Sequence, residues 1–159
     1  MRKWILIAIV VLVSLLNAAC NRGADIDQDK KDIQQVFEKY LESVNTADVA
    51  LASQVWLQSE DVSAVTPLAR FKGWKSIETD LYINFLQKAF TERSLKAENL
   101  AIGVSGTAGW SVYDWTFNGK LPDGQAFSSK GWETHVYQKI EGRWVIVHLH
   151  YSSPVRPPQ

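Results

Sequence analysis

The segment 131–154 limits what this chain can fold into more than any other stretch. Two runs rich in β-branched and aromatic residues flank Glu141-Gly142, a pattern typical of a β-hairpin. Apolar residues fall on both alternating faces, whereas a sheet with one wet face should alternate apolar and polar residues. One predicted face carries Trp132, Val136, Ile140, Trp144 and Ile146, and the other carries Tyr137, Val145, Val147, Leu149 and Tyr151. The hairpin is therefore predicted to be covered on both sides.

The histidines of this hairpin raise the question of a metal site. His148 and His150 share one face of their strand because side chains alternate with period two. A two-residue loop would pair His135 with His148, and Glu133 would then share a face with all three histidines. Such a face would resemble a metal site.

The turn chemistry favours a different pairing. A two-residue loop requires positive φ at Glu141, which suits Gly, Asn or Asp better. A three-residue loop with a glycine bulge requires positive φ only at Gly142, and it pairs His135 with Val147. We favour this second loop and predict no metal site. The other two histidines are then expected to be hydrogen-bonded on a packed sheet face or at a subunit interface.

The rest of the chain divides into helices followed by strands. Apolar residues at helical spacing predict helices at 29–45 and 74–91. A short helix around Leu51 to Trp56 is predicted between them, capped by Thr46 or Asp48. The predicted strands are 61–66, a return at 70–73, 94–105, 108–121, 126–140 and 143–153. No repeat or second domain is visible.

The hairpin also carries a family resemblance. It contains Glu133-Thr134-x-Val136-Tyr137, then Gly142-Arg143-Trp144, then Val147-His148-x-His150-x-Ser152. This pattern resembles the association (hub) domain of calcium/calmodulin-dependent protein kinase II and the bacterial SnoaL-like families of the nuclear transport factor 2-like superfamily. The resemblance implies a cone-shaped α+β (cystatin-like) fold, with about three N-terminal helices on a curved, mainly antiparallel sheet that encloses a pocket. It also implies a homo-oligomer, with a dimer as the first expectation.

The N-terminus predicts export. Arg2 and Lys3 precede an apolar run that is too short to span a bilayer comfortably, which is typical of a signal peptide. Ala18-Ala19-Cys20 resembles a bacterial lipobox, with Asn17 in place of the usual aliphatic residue, and predicts lipidation of Cys20. By analogy with known sorting, Asn21 favours the outer membrane of a bacterial cell envelope, facing the periplasm. Ordinary secretion and an uncleaved anchor are the alternatives.

These signals divide the chain into four parts. We expect a lipoprotein-type signal peptide at 1–19, a tether at 20–28, a SnoaL-like domain at 29–154 and a tail at 155–159. Cys20 is the only cysteine, so the domain has neither an internal disulfide nor a thiol nucleophile. The lipid is the only membrane contact that we predict.

Charge and motifs narrow the partners. Removing the two basic residues of the signal from 17 leaves 15 against 17 acidic ones, a net charge of −2. Nucleic acid would require a basic patch, so we predict no such partner. Neither a hydrolase elbow nor a phosphate-binding glycine loop appears, and we predict no cofactor.

Aromatic residues are predicted to line the pocket. Arginines of the kinase hub occupy the positions that match Trp115, His135 and Tyr151, so an apolar or aromatic ligand suits this chain better than a small carboxylate. His135 and Tyr151 would then be the polar groups that hold the ligand, since ligand sites are commonly apolar cavities with a few converging polar groups. The predicted ligand-binding residues are Trp115, His135, Tyr151, Tyr113, Tyr137, Tyr40, Trp56 and Trp74. The alternative is that these aromatics simply fill the core.

Three functions stay open at this point. The first is a lipid-anchored, homo-oligomeric protein that binds a small apolar molecule. The second is an enzyme of the isomerase, cyclase or dehydratase type with His135 as general base, because the ordinary pKa of a histidine lies near working pH. The third is a structural protein that joins subunits through the face carrying Trp132, Trp144 and Ile146, since large exposed apolar patches usually mark interfaces.

Overall fold

The computed structural model describes residues 25–154. The predicted signal peptide, Cys20 and the tail lie outside the described residues. Helix α1 spans 25–46, so residues 25–28 of the predicted tether are helical. Helix α2 is Val49–Val55, and the Asp48 side chain caps it by accepting a hydrogen bond from the Leu51 amide at 3.0 Å. In the part of the chain that the structure describes, no helix is long and apolar enough to cross a membrane.

Helix α3 has an unusual width. It begins as an α-helix at Trp74–Ser76 and continues as a π-helix over Ile77–Gln87. Its buried residues recur every four or five positions, as the i→i+5 hydrogen bonds of a π-helix require. These buried residues are Ile77, Leu81, Tyr82 and Leu86.

Six strands form one sheet beneath the helices. They are β1 Ser63–Val65, β2 Arg70–Lys72, β3 Glu92–Ser105, β4 Ala108–Lys120, β5 Ala126–Ile140 and β6 Arg143–Ser152. Their order is β2-β1-β6-β5-β4-β3, and every pair is antiparallel except β1 with β6. Three helices on a mainly antiparallel sheet confirm the predicted α+β architecture.

The turn between β5 and β6 corrects our preferred loop. Ile140 pairs with Arg143, so the loop has two residues, Glu141 with φ 49° and Gly142 with φ 80°. Positive φ at both centres is the signature of a type I′ turn, whose twist matches that of the flanking strands. The cost of positive φ at Glu141 is offset because this turn keeps the two strands paired up to Ile140 and Arg143.

The extra residue lies further along β6. Val136 pairs with His148 and Tyr137 pairs with Ile146, so Val147 is bulged out of the ladder. Beyond this bulge His135 stands opposite Leu149, not His148. The separation of His135 from the other histidines that we expected from the turn therefore arises from the bulge.

The two-residue turn also reverses the predicted facing of two apolar residues. We expected Trp144 and Ile146 on the outer face with Trp132, but they are 3% and 0% exposed and belong to the core. The turn pairs Tyr137 with Ile146 and so brings these side chains to the core side, and the bulge at Val147 then restores the predicted facing of Leu149 and Tyr151. Trp132 stays outside and is 55% exposed, in company with Trp110 and Val112. On this outer side, His148 Nδ1 lies 2.8 Å from Ser63 Oγ.

Candidate ligand-binding cavity

A cavity of about 290 Å³ lies between the helices and one half of the concave sheet face. Pro67 and Leu68, in the turn between β1 and β2, line it, and Leu68 is strongly exposed, so the mouth is on this side. Aliphatic residues of α1, α3 and β3 contribute much of the rest. The aromatic lining residues are Tyr40, Phe85, Trp115, Phe117, Phe127 and Tyr151.

Glu133 is the only acidic or basic side chain among the described lining residues, with the tyrosine phenols set aside. It is 3% exposed. The period-two alternation of β5 places it on the concave face together with His135 and Tyr137. A buried carboxylate needs hydrogen bonds, and the neighbouring elements supply them.

A chain of hydrogen bonds runs away from the cavity behind this carboxylate. Glu133 Oε1 accepts from the Tyr40 hydroxyl at 2.8 Å and lies 2.7 Å from His135 Nε2. His135 Nδ1 is 3.0 Å from the Tyr137 hydroxyl, which is 3.0 Å from Ser111 Oγ. All five residues are buried, so the network is sealed on the side that faces away from the cavity.

Burial keeps the phenols of this network protonated. Desolvation raises the pKa of Tyr40 and that of Tyr113 well above the usual range, and the charge of Glu133 raises both further. The Tyr113 hydroxyl lies 3.3 Å from His135 Nε2. The tyrosines beside Glu133 are thus neutral hydrogen-bonding groups at any ordinary pH.

The structure distributes the predicted site residues over three places. Tyr40, Trp115 and Tyr151 line the cavity. Three others lie behind Glu133, packed with α1, and do not line it: Tyr113, His135 and Tyr137.

The last two predicted residues belong to the helical layer. Trp56 Nε1 donates to the Tyr82 hydroxyl at 3.3 Å. Trp74 begins α3, is half-buried and does not line the cavity.

Sequence reasoning missed Glu133 as a wall residue, although its spacing of two from His135 indicated the correct face.

Two polar groups of the wall have an unused hydrogen-bonding atom. Trp115 Nε1 is buried without a partner among the described residues, although the ring packs edge-on against Tyr151 with centroids 5.5 Å apart. Glu133 Oε2 accepts no hydrogen bond within the described residues, because both contacts of this carboxylate use Oε1. Buried polar atoms are nearly always paired, so the unpaired Trp115 Nε1 in this wall calls for an explanation.

The chain is similar to several solved structures. A nuclear transport factor 2-like superfamily protein from Salmonella enterica serovar Typhimurium LT2 is 33% identical, with a TM-score of 0.79 over 83% of this chain and 95% of that one. A hexachlorocyclohexane dehydrochlorinase from Novosphingobium barchaimii LL02 is 18% identical, with a TM-score of 0.71 over 83% and 90%. A provisionally assigned dehydratase from Streptomyces avermitilis is 15% identical, with a TM-score of 0.72 over 82% and 99%.

At 18% and 15% identity, the last two relatives share only the fold with this chain. No curated protein matches the chain. The family model of the SnoaL-like domain matches residues 33–156, which include α1 from residue 33, all of α2 and α3, and the whole sheet. The chain therefore belongs to the SnoaL-like domain family, within the nuclear transport factor 2-like superfamily.

Proposed function

We propose that this protein binds a small, mainly apolar molecule in the cavity and that Glu133 anchors its polar end. The observation that carries the proposal is the buried and unpaired Trp115 Nε1, together with Glu133, whose Oε2 accepts no hydrogen bond within the described residues, in a mainly apolar wall. An unpaired buried donor costs about 1–3 kcal/mol. A bound molecule with one donor and one acceptor would remove that cost, and the surrounding aromatic rings would hold its body.

Ligand binding can be tested by intrinsic tryptophan fluorescence of the purified full-length chain, since Trp115 lines the cavity. A library of small apolar amines, alcohols, ketones and acids would be titrated. The key variant is Ser129→Leu, because Ser129 lines the cavity and the larger side chain would fill part of it. Its matched control is Ser128→Leu, one residue away on the exposed side of the same strand.

We expect a saturable fluorescence change that Ser129→Leu weakens by about tenfold or more, a loss of about 1.4 kcal/mol. Ser128→Leu should leave it unchanged. Equal binding by both variants would place the ligand elsewhere, and no binding across the library would count against the proposal.

A second candidate function is proton-transfer catalysis, favoured by the 2.7 Å contact between Glu133 and His135. His135, the base predicted from the sequence, is fully buried and does not line the cavity. Glu133 lines the cavity, so it is the group within reach of a substrate. His135 would then orient the carboxylate. Names of two structural relatives, a dehydrochlorinase and a provisionally assigned dehydratase, denote eliminations, which need a base.

The two glutamine variants separate catalysis from binding. On any substrate found among the ligands, Glu133→Gln should abolish turnover while leaving the apolar body bound. His135→Gln should lower turnover less, because it removes an orienting contact and not the base. Turnover that survives Glu133→Gln would rule out this role.

We also propose that the chain is exported and anchored by lipid on Cys20, a residue outside the described range. The lipobox-like Ala18-Ala19-Cys20 supports this proposal. In a bacterial host, metabolic labelling with a fatty acid should mark the wild type in the envelope fraction and should not mark Cys20→Ala. Labelling of Cys20→Ala would overturn it.

Self-association is proposed to use the outer sheet face. Exposed Trp110, Val112 and Trp132 lie on adjacent strands of this face and supply an apolar patch. Sedimentation at micromolar concentration should show a dimer that Trp132→Glu dissociates. A monomeric wild type would contradict this proposal.

A further inference from the structure

We propose that the ligand of this cavity is an organic cation, a protonated amine carried on an apolar body. The inference rests on the proposed binding function and specifies the charge of the ligand. It follows from the position of Glu133 among aromatic rings and from the absence of basic side chains in the described lining.

The hydrogen bonds leave the carboxylate without a full counter-charge. Glu133 Oε1 accepts a hydrogen bond from the Tyr40 hydroxyl and contacts His135 Nε2. The Ser111 hydroxyl can donate to the Tyr137 hydroxyl, which can donate to His135 Nδ1, and His135 then donates from Nε2. Neutral donors stabilise a carboxylate but do not cancel its charge, and an uncompensated buried charge is costly.

A ligand cation would supply both the missing hydrogen-bond donor and the missing positive charge. An ammonium group is a donor for the unused Oε2 of Glu133 and also carries the opposite charge. A neutral alcohol would satisfy the hydrogen bond alone. A carboxylate ligand would meet a like charge and, among the described lining residues, no arginine, lysine or histidine.

The aromatic rings of the wall fit the same ligand. Trp115 and Tyr151 stand nearly perpendicular, at 80° with centroids 5.5 Å apart, and form a corner. Phe117 and Phe127 form a second corner at 64° and 6.2 Å. Perpendicular rings with a nearby acid are the arrangement that attracts organic cations, because the faces of aromatic rings are electron-rich.

The test uses three ligands with the same body and different heads: phenylpropylamine, phenylpropanol and phenylpropanoate. Their affinities for the full-length chain would be measured by isothermal titration calorimetry at neutral pH. We expect the amine to bind at least about tenfold more tightly than the alcohol, and the carboxylate to bind more weakly than either. This comparison uses only the wild type, so it does not depend on the folding of any variant.

Glu133→Gln should reduce the amine affinity to that of the alcohol and leave the alcohol affinity nearly unchanged. Glu98→Gln is the matched control, because Glu98 is an exposed acid on β3 whose loss changes the net charge equally without touching the cavity. Tyr151→Leu provides a second variant that removes one ring face. It should weaken the amine more than the alcohol.

The outcomes distinguish this inference from the proposal beneath it. An alcohol that binds as tightly as the amine, or an amine preference that persists in folded Glu133→Gln, would overturn the cation while leaving a ligand-binding cavity. If none of the three binds and the fluorescence library is also silent, both proposals fail. A carboxylate that binds most tightly would overturn the charge argument outright.

Discussion

The concave face of the sheet has two halves that contain similar side chains and use them differently. In the closed half, Phe37 of α1 packs on Tyr113 and His135. The hydroxyls and ring nitrogens of Ser111, Tyr113, His135 and Tyr137 have partners within 3.3 Å. In the open half, the aromatic rings line the cavity and Trp115 Nε1 has no partner among the described residues. Aromatic content therefore does not distinguish a filled core from a cavity wall. Hydrogen-bond satisfaction does, and Glu133 marks the boundary.

The largest expected contrast comes from two phenylalanines. Phe37 is 3% exposed and its ring lies 4.8 Å from that of Tyr113, so Phe37→Ala should cost about 3–5 kcal/mol of unfolding free energy. Phe127 is 40% exposed in the cavity wall, so Phe127→Ala should cost less than about 1 kcal/mol. Urea unfolding of both variants measures the difference. Equal losses would mean that the two halves are packed alike.

Alkaline pH should lower the free energy of unfolding through a tyrosine buried among the helices. Tyr82 of α3 is fully buried against Ser43 and Trp56, and burial raises its pKa to about 12. A raised pKa gives stability that is fully present below the unfolded value of 10 and is lost as pH rises from 10 towards 12. Two pKa units correspond to about 3 kcal/mol.

Unfolding free energies measured across this pH range provide the check. Tyr82→Phe should flatten the alkaline loss, although it also removes the hydroxyl contacts and lowers stability at neutral pH. A variant that loses stability with pH as steeply as the wild type would show that other groups control this transition.

Two serines give the smallest and cleanest contrast. Ser111 is fully buried and lies 3.0 Å from the Tyr137 hydroxyl, so Ser111→Ala should cost about 1–2 kcal/mol. Ser129 lines the cavity and its side chain makes no hydrogen bond within the described residues. Ser129→Ala should change stability by less than about 0.5 kcal/mol. Thermal unfolding in parallel samples decides whether satisfied hydroxyls are confined to the closed half.

Much of the fold could be predicted because its signals are local. The period-two pattern of β5 and the turn residues around Gly106 and Gly124 fixed the long strands to within two residues of their observed ends. Helical spacing located α1 and α3, and the capping role of Asp48 was visible in the sequence. The π-helical character of α3 was not foreseen, although its apolar spacing of four to five was present.

The inward position of Trp144 could not be predicted because the contact that favours it is distant in sequence. Trp144 Nε1 donates to Asp29 Oδ1 at 3.0 Å, and Lys139 Nζ contacts the same oxygen at 2.6 Å. Asp29 lies on α1, so this hydrogen bond stabilises the inward position of Trp144 only once α1 has packed on the sheet. No local pattern contains that information, and the regular alternation that we assumed placed Trp144 outside.

The site was predicted less completely than the fold. The aromatic character of the wall and the parity of Glu133 were visible in the sequence. Which aromatics remain beside empty space depends on where α1 and α3 stop covering the sheet, and that is set by the packing of whole elements. For this reason His135, Tyr113 and Tyr137 were grouped with Trp115 although they belong to the other half.

The bulge at Val147 has a consequence for anyone who redesigns this protein. On β6, the inward side chains have even numbers before the bulge, at Trp144 and Ile146, and odd numbers after it, at Leu149 and Tyr151. Deleting one residue at the bulge would turn the side chains of one part of the strand from the core to the outer face, and the outer ones to the core. A library that varies every second position along β6 must therefore restart its count at residue 147, or half of its changes will fall on the wrong surface.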